Sequence, residues 1–149
     1  MVSGEDFPLR VEAVGTAWAA EHRTDEAAPP SQNAGWQLVY VRTGVIEERC
    51  HDKTVLLRAG GILLHQPEEL FAMRAVGEIP PEVLRIEFFC SSAAMDRFRG
   101  VVFHAEPAER QDLTWLMKQI VELYDPPPSP GQCSIPRQET PKYPAFPHG

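Results

Sequence analysis

The sequence predicts an all-β barrel or sandwich that is followed by one α-helix. Between residues 36 and 90, short segments rich in β-branched, aromatic and aliphatic residues alternate with turn residues. We predict six strands there, at 36–42, 45–50, 54–58, 61–65, 70–76 and 83–90. Short strands at this regular spacing are typical of β-barrels and sandwiches rather than of βαβ units.

The segments on either side of these strands have a different pattern. Residues 7–18 partly alternate apolar with charged side chains, and residues 24–35 have the proline-rich, polar composition of a loop. After the last strand, the two serines at 91 and 92 precede a short stretch that resembles a capped helical turn.

A longer helix is predicted over residues 107–124. Pro107 suits the first helical turn, because proline lacks an N–H and its φ angle is already helical. Apolar residues then recur at helical spacing and form one stripe. The stripe consists of Leu113, Leu116, Met117, Ile120, Val121 and Tyr124. We expect it to pack on the barrel as core, and contact with a second subunit is the alternative.

Composition limits the possible functions. The 149 residues suffice for one domain, which we place at 1–125, and the net charge is −7 with 14 basic against 21 acidic residues. DNA-binding proteins draw most of their affinity from Lys and Arg, so we expect no nucleic-acid binding by this part of the chain. No apolar run is long enough to span a membrane, and the N-terminus does not resemble a secretory signal. A cytoplasmic location is therefore expected.

Two features concern cysteine and proline. The three cysteines form no CxxC pair, and Cys50 and Cys90 lie in apolar, strand-like segments. We expect both to be free, buried thiols. More than half of the 15 prolines fall in residues 126–149, which predicts an extended linker there.

Three segments carry a resemblance to a known family. Residues 36–44, Trp-Gln-Leu-Val-Tyr-Val-Arg-Thr-Gly, resemble the strand and glycine turn that open the barrel in many cupins. Residues 60–67, Gly-Gly-Ile-Leu-Leu-His-Gln-Pro, are similar to the family's Gly-Asp-apolar-Pro element, and 84–90 resemble its late strand. This succession, with the helix after it, is similar to the N-terminal cupin domain of AraC-type transcription regulators.

The resemblance implies a cupin jelly-roll barrel (a double-stranded β-helix) and a regulatory function. In that family the cupin domain senses a small molecule and supports dimerisation, and a separate helix-turn-helix domain binds DNA. We therefore expect a ligand-sensing, homodimeric domain whose effector is a carbohydrate or an organic acid. The linker at 126–149 would lead to a C-terminal DNA-binding region that this sequence lacks.

The resemblance also allows the metal positions of cupin enzymes to be compared. Gln37 stands where the metal-binding family members have Glu, residues 30–33 contain no His, and Phe71 replaces the late His. An amide and a phenyl ring are not ligands for a divalent cation, so no metal site of this kind and no cofactor are expected.

Strand parity predicts which residues line the barrel. If the cupin alignment holds, the face of Gln37, Val39 and Val41 looks inward. His65 ends an aliphatic strand and is expected in the core or at its rim. Glu87 shares a face with Arg85; we favour a solvent-facing ion pair, with a polar anchor in the pocket as the alternative. The candidate ligand-binding residues are Gln37, Val39, His65, Phe71, Met73 and Glu87.

Two other functions remain open alongside the sensor. One is a metal-free cupin enzyme, similar to an isomerase or epimerase, that uses His65 and Glu87 as acid and base on a small carbohydrate or organic acid. The other is a structural dimerisation module whose barrel is filled by its own side chains. Since the sequence contains no Ser-His-Asp pattern and no phosphate loop, we expect no catalytic residues and no enzymatic activity.

Overall fold

The computed structural model describes residues 10–50 and 53–123. The predicted linker at 126–149, the domain boundary at 125 and Tyr124 lie outside the described residues. Eight strands and one α-helix form the described part, with a short 3-10 helix at Ala93–Phe98. The strands and the helix are β1 (Ala13–Glu21), β2 (Trp36–Thr43), β3 (Val45–Cys50), β4 (Lys53–Arg58), β5 (Gly61–His65), β6 (Phe71–Val76), β7 (Glu82–Phe89), β8 (Val102–His104) and α1 (Pro107–Leu123).

The strands form two antiparallel sheets, which confirms the predicted all-β fold with one C-terminal helix. The larger sheet has the order β1-β7-β2-β5-β8, and the smaller has the order β4-β3-β6. Val39 of β2 pairs with Arg85 of β7 on one side and with Leu63 of β5 on the other. Glu48 of β3 pairs with Val55 and Met73. This register determines which side chains meet inside the barrel.

A tight turn at Gly44 carries the chain from the larger sheet to the smaller one. Its φ angle is +81°, and a Cβ atom there would lie 2.7 Å from the Cα of Pro81. Only glycine satisfies both conditions, because an L side chain rarely adopts this conformation and would also collide with the neighbouring backbone.

An apolar core lies between the two sheets. Val39, Val41 and Val83 of the larger sheet contact residues of the smaller sheet such as Ile46 and Leu57. Each is fully buried. Burial of such a side chain contributes about 1.5–3 kcal/mol relative to its exposure to water, so this core is a main source of the barrel's stability.

A second apolar cluster lies on the outer face of the larger sheet, beneath α1. Met117 and Ile120 are buried there against Ala19 and Leu84, and Leu113 and Leu116 are partly buried in the same cluster. The prediction that the helical stripe is core is thereby confirmed. Val121, at the edge of the stripe, is 46% exposed, and Trp115 on another face of α1 is 62% exposed.

The sequence located the strands between 36 and 90 to within one or two residues, and it was less accurate outside them. β1 at Ala13–Glu21 only partly overlaps the alternating segment 7–18, and the three-residue β8 was not predicted. Three successive residues of β1 are buried, since both faces of this strand are covered, and this removes the alternation that marks a strand. No helix among the described residues is long and apolar enough to cross a membrane.

Candidate functional site

A charged network crosses the interior of the barrel. Arg85 of β7 and Glu48 of β3 are both fully buried. Arg85 donates from Nη2 to Glu48 Oε2 at 2.7 Å and from Nη1 to Glu48 Oε1 at 3.2 Å. The same Nη1 donates to Oε1 of Gln37 on β2 at 2.9 Å. Three strands from both sheets are thus joined by one guanidinium group.

His65, the last residue of β5, extends this network. Its Nε2 lies 2.7 Å from Glu48 Oε1. Its ring stacks on the ring of Phe71 at a centroid distance of 4.3 Å and an interplanar angle of 10°. The guanidinium carbon of Arg85 lies 5.3 Å from the centroid of the same phenyl ring. The carboxylate and the stacking contact together fix the orientation of the imidazole.

The second ring nitrogen of His65 faces a thiol and a carboxylate. Nδ1 lies 3.7 Å from Cys50 Sγ and 3.6 Å from Glu69 Oε1. Glu69 Oε1 also accepts a hydrogen bond from the backbone N–H of Gln66 at 3.0 Å. Cys50, His65 and Glu69 each contribute one ligand-type atom, and these three atoms lie within 4.8 Å of one another. We call these three residues the Cys50–His65–Glu69 cluster.

The network shifts the protonation of its members toward the charged forms. Burial alone raises the pKa of Glu48, but the charge of Arg85 and hydrogen bonds from His65 and Arg85 outweigh it, so this pKa lies below its ordinary value. Burial alone lowers the pKa of His65; hydrogen bonds with Cys50, Glu48 and Glu69 reverse this and raise it to about 10. Burial likewise raises the pKa of Glu69, and the hydrogen bonds with His65 and Gln66 lower it. The two carboxylates therefore balance Arg85 and a protonated His65.

A cavity of about 200 Å³ opens at the His65 end of the network. All three members of the Cys50–His65–Glu69 cluster line it. Lys53 and Arg99, both exposed residues, also line it, and Arg99 pairs with Asp96 at 3.1 Å. This end of the barrel thus combines buried donor atoms with two exposed basic side chains.

The six predicted ligand-binding residues all point into the barrel. Gln37 and Val39 are buried on the inward face of β2, as predicted, and Phe71 and Met73 are buried on β6 of the smaller sheet. Val39, Phe71 and Met73 belong to the apolar core, where they pack against other side chains. Of the six residues, His65 alone lines the 200 Å³ cavity. Ligand binding by these residues stays a prediction.

The favoured interpretation of Glu87 as a member of a solvent-facing, cross-strand ion pair is wrong. Glu87 is only 7% exposed, and it accepts hydrogen bonds from the backbone N–H of Gly35 at 3.1 Å and from Thr16 Oγ1 at 3.4 Å. Arg85 pairs with Glu48 instead. Parity correctly placed Arg85 and Glu87 on one face of β7. The opposite face carries Leu84 and packs beneath α1, so the polar face had to turn inward.

Sequence reasoning missed several residues of the site. Glu48 was not singled out, although it lies between inward-facing Ile46 and Cys50 on β3, which is the signal that could have revealed it. Glu69 follows His65 by four residues, with a turn between them. This spacing in the sequence does not predict that the two side chains meet. Cys50 is a free buried thiol as expected, whereas Cys90 is only half-buried.

The acid–base pair considered for a metal-free enzyme is not assembled. Among the described hydrogen bonds, those of the Glu87 side chain go to Gly35 and Thr16, and those of His65 go to Glu48 and Cys50. Both side chains are buried. No observation at the site therefore favours joint acid–base chemistry by these two residues.

A second buried histidine–carboxylate contact lies on the segment after β1. His22 Nδ1 is 3.0 Å from Glu26 Oε2, and both side chains are buried. The imidazole also makes an edge contact with the ring of Trp18, at a centroid distance of 5.8 Å. Burial lowers the pKa of His22, although the hydrogen bond and charge of Glu26 act in the opposite direction. The described residues offer no hydrogen-bond partner to His22 Nε2, which agrees with a neutral ring.

The two facing antiparallel sheets and the helix on the larger sheet define a cupin fold. No protein-family model matches the chain, and no curated protein is significantly similar to it in sequence. Similarity is found among solved structures, one of which is an AraC-type regulator.

That regulator is ToxT from Vibrio cholerae. Apo ToxT K231A of strain SCE256 has a TM-score of 0.52 and 6% identity, over 68% of this chain and 46% of the ToxT chain. A second ToxT structure, in a P21 crystal form, has a TM-score of 0.50 and 8% identity, over 71% of this chain and 48% of ToxT. The cupin domain of Cnp3 from Schizosaccharomyces pombe has a TM-score of 0.47 and 11% identity, over 64% and 72%.

This chain therefore spans about half the length of ToxT. At identities this low the ToxT likeness concerns the fold alone. It confirms the fold expected from the sequence, a cupin-type barrel that is followed by a helix.

Proposed function

We propose that this chain is the effector-sensing domain of an AraC-type transcription regulator and that its effector is a small organic acid. The observation that carries the proposal is the cavity of about 200 Å³ at the end of the buried charge network. The fold shared with part of ToxT supports the regulatory side of the proposal.

The chemistry of the cavity favours an acid over a neutral carbohydrate. Lys53 and Arg99 line it, and both carry positive charge near the surface. A carboxylate entering from solvent would be attracted by these two groups, and charge-assisted hydrogen bonds are about twice as strong as neutral ones. Pockets for drug-sized molecules measure roughly 300–1,000 Å³, so a cavity of about 200 Å³ suits an acid with few carbon atoms.

A route from the cavity toward the rest of a regulator runs through the chain after Arg99. Arg99 follows the 3-10 helix and precedes β8, which pairs with β5 and leads directly into α1. An effector that contacts Arg99 would therefore bias the segment that positions the C-terminal helix. Sensing requires that the effector bind one arrangement of this segment more tightly than another.

The wider features of an AraC-type regulator belong to the same proposal. These features are a cytoplasmic location, a homodimer and a DNA-binding region that follows residue 149. Because Met117 and Ile120 are buried against the barrel, a dimer contact through α1 would use its exposed residues, of which Trp115 and Val121 are apolar.

Thermal unfolding in the presence of small mono- and dicarboxylic acids tests the proposal. Each acid is paired with its uncharged amide as the control ligand. An effector at a hundred times its dissociation constant stabilises the folded state by about 2.7 kcal/mol, which raises Tm by several degrees. We expect the rise with an acid and not with its amide.

Two variants locate the binding site. Lys53→Gln together with Arg99→Gln should abolish the rise in Tm, because both side chains line the cavity. Arg97→Gln, an exposed residue outside that lining, is the matched control and should retain it. The proposal fails if no acid stabilises the chain or if stabilisation survives the double variant. A barrel filled by its own side chains, acting as a structural module, would then be the better description.

A further inference from the structure

The Cys50–His65–Glu69 cluster brings together a thiol, an imidazole nitrogen and a carboxylate at the end of the barrel. We propose that these three residues bind one divalent transition-metal ion of the Zn²⁺ class. Mixed sulfur, nitrogen and oxygen donors are the ligands that Zn²⁺ takes in proteins. The fourth position would be filled from the adjoining cavity by water or a small ligand, as in zinc sites that have three protein ligands.

The spacing of the donor atoms fits tetrahedral coordination. With zinc bonds of about 2.3 Å to sulfur and about 2.1 Å to nitrogen and oxygen, the S–N edge is about 3.6 Å and the N–O edge about 3.4 Å. The corresponding distances are 3.7 Å from Cys50 Sγ to His65 Nδ1 and 3.6 Å from Nδ1 to Glu69 Oε1. The third edge, from Cys50 Sγ to Glu69 Oε1, is no longer than 4.8 Å, and metal binding would draw these two atoms closer together.

The groups behind the donors support the same assignment. A metal-binding histidine usually donates its other ring N–H to a carboxylate, and His65 Nε2 lies 2.7 Å from Glu48 Oε1. Glu48 is held in turn by Arg85, and the Gln66 N–H orients Glu69. Phe71 stacks on the imidazole and restrains its plane. His65 Nδ1 is therefore held toward the other two donors before any ion binds.

The donor set also suits the charge of a divalent ion. Coordination converts a thiol to a thiolate, so Cys50 and Glu69 would together place two negative charges on the ion.

The proposed site does not use the positions at which the sequence analysis sought a cupin metal centre. Gln37 and Phe71 stand at two of those positions. Gln37 accepts a hydrogen bond from Arg85, and Phe71 stacks on His65. The inference therefore goes beyond the proposed function. It does not depend on an organic acid, and its test uses the metal ion alone.

The experiment measures Zn²⁺ uptake and Co²⁺ spectra of the chain under reducing conditions. Equilibrium dialysis of the metal-stripped protein against Zn²⁺ should give one tightly held ion per chain. The absorption spectrum of bound Co²⁺ depends on the type and number of its ligands. It should show a thiolate-to-cobalt charge-transfer band and the intense visible bands of four-coordinate cobalt. A folded chain that takes up no Zn²⁺, or a Co²⁺ spectrum without the thiolate band, overturns the proposal.

Variants identify the ligands. Cys50→Ser should remove the charge-transfer band, whereas Cys90→Ser/Cys133→Ser, which retains Cys50 as the only cysteine, should preserve it. Glu69→Gln keeps the oxygen that accepts from Gln66 and should weaken Zn²⁺ binding by about tenfold or more. Circular dichroism verifies the fold of each variant. Wild-type affinity in folded Cys50→Ser or Glu69→Gln contradicts the assignment.

Discussion

Arg85 of β7 and Glu48 of β3 form a two-point ion pair that joins the two sheets through the interior of the barrel, with N–O distances of 2.7 and 3.2 Å. Both side chains are fully buried. Charges buried to this extent are tolerated only when they are paired and hydrogen-bonded, and Gln37 and His65 complete the pairing.

Removal of Arg85 should therefore destabilise the protein strongly. Arg85→Met leaves the Glu48 carboxylate buried without its main partner, which costs about 3–5 kcal/mol of the free energy of unfolding. Arg74→Gln is the control: Arg74 forms an exposed pair with Glu47, and its loss costs less than about 1 kcal/mol. Urea denaturation measures both, and similar losses in the two variants would contradict the role assigned to the buried pair. The double variant Arg85→Met/Glu48→Leu should recover most of the loss.

The helix–sheet contact makes a second prediction. Ile120→Ala creates a cavity beneath α1, where Ile120 is buried with Met117 and Leu84. It should lower the free energy of unfolding by about 2–5 kcal/mol. Val121→Ala on the more exposed edge should cost less than about 1 kcal/mol. Thermal and urea unfolding at two protein concentrations distinguish core from interface. If the cost of Ile120→Ala appears only at the higher concentration, Ile120 stabilises a dimer rather than the barrel.

Two of the positive-φ glycines, Gly44 and Gly77, allow backbone strain and steric collision to be measured separately. Both glycines have φ above +80°, so alanine at either position costs about 1–2 kcal/mol for the left-handed conformation alone. At Gly44 the added Cβ would also lie 2.7 Å from the Pro81 Cα, whereas at Gly77 nothing lies within 4 Å. Gly44→Ala should therefore lower Tm clearly more than Gly77→Ala in a thermal scan. Equal losses would show that the turn at Gly44 has room to relax.

The pH dependence of stability should report on His22. Its pKa in the folded protein is lowered by burial, so the folded state binds this proton less readily than the unfolded chain does. Above about pH 6.5 the ring is neutral in both states and the difference has no effect. As the pH falls below that value, the unfolded chain takes up the proton first and the free energy of unfolding decreases.

Comparison with variants isolates this effect from other titrating groups. His22→Gln should flatten the loss of stability between about pH 6.5 and the lowered folded-state pKa, as measured by urea denaturation at several pH values. His104→Gln, a change at an exposed histidine, should leave the slope as in the wild type. A slope that His22→Gln does not change would mean that His22 titrates alike in both states.

Much of the barrel follows from local sequence patterns. The strands from Trp36 to Phe89 alternate side chains with a period of two and end at turn residues such as Gly44 and Gly60, and both signals are readable without a structure. The same parity correctly placed Gln37 and Val39 on the inner face of β2. The apolar stripe of α1 likewise identified Met117 and Ile120 as core.

The sequence by itself thus determined strands β2 to β7, the helix and the faces on which their side chains lie, because these depend on neighbours a few residues away. Only the tertiary structure decided that the polar face of β7 turns inward, so that Arg85 meets Glu48 rather than Glu87. It also decided that Cys50 and Glu69 meet His65 at one ring nitrogen. These contacts join β3, β5 and a turn. Their distances depend on how the two sheets pack against each other, and the periodicity of a single strand does not predict that packing.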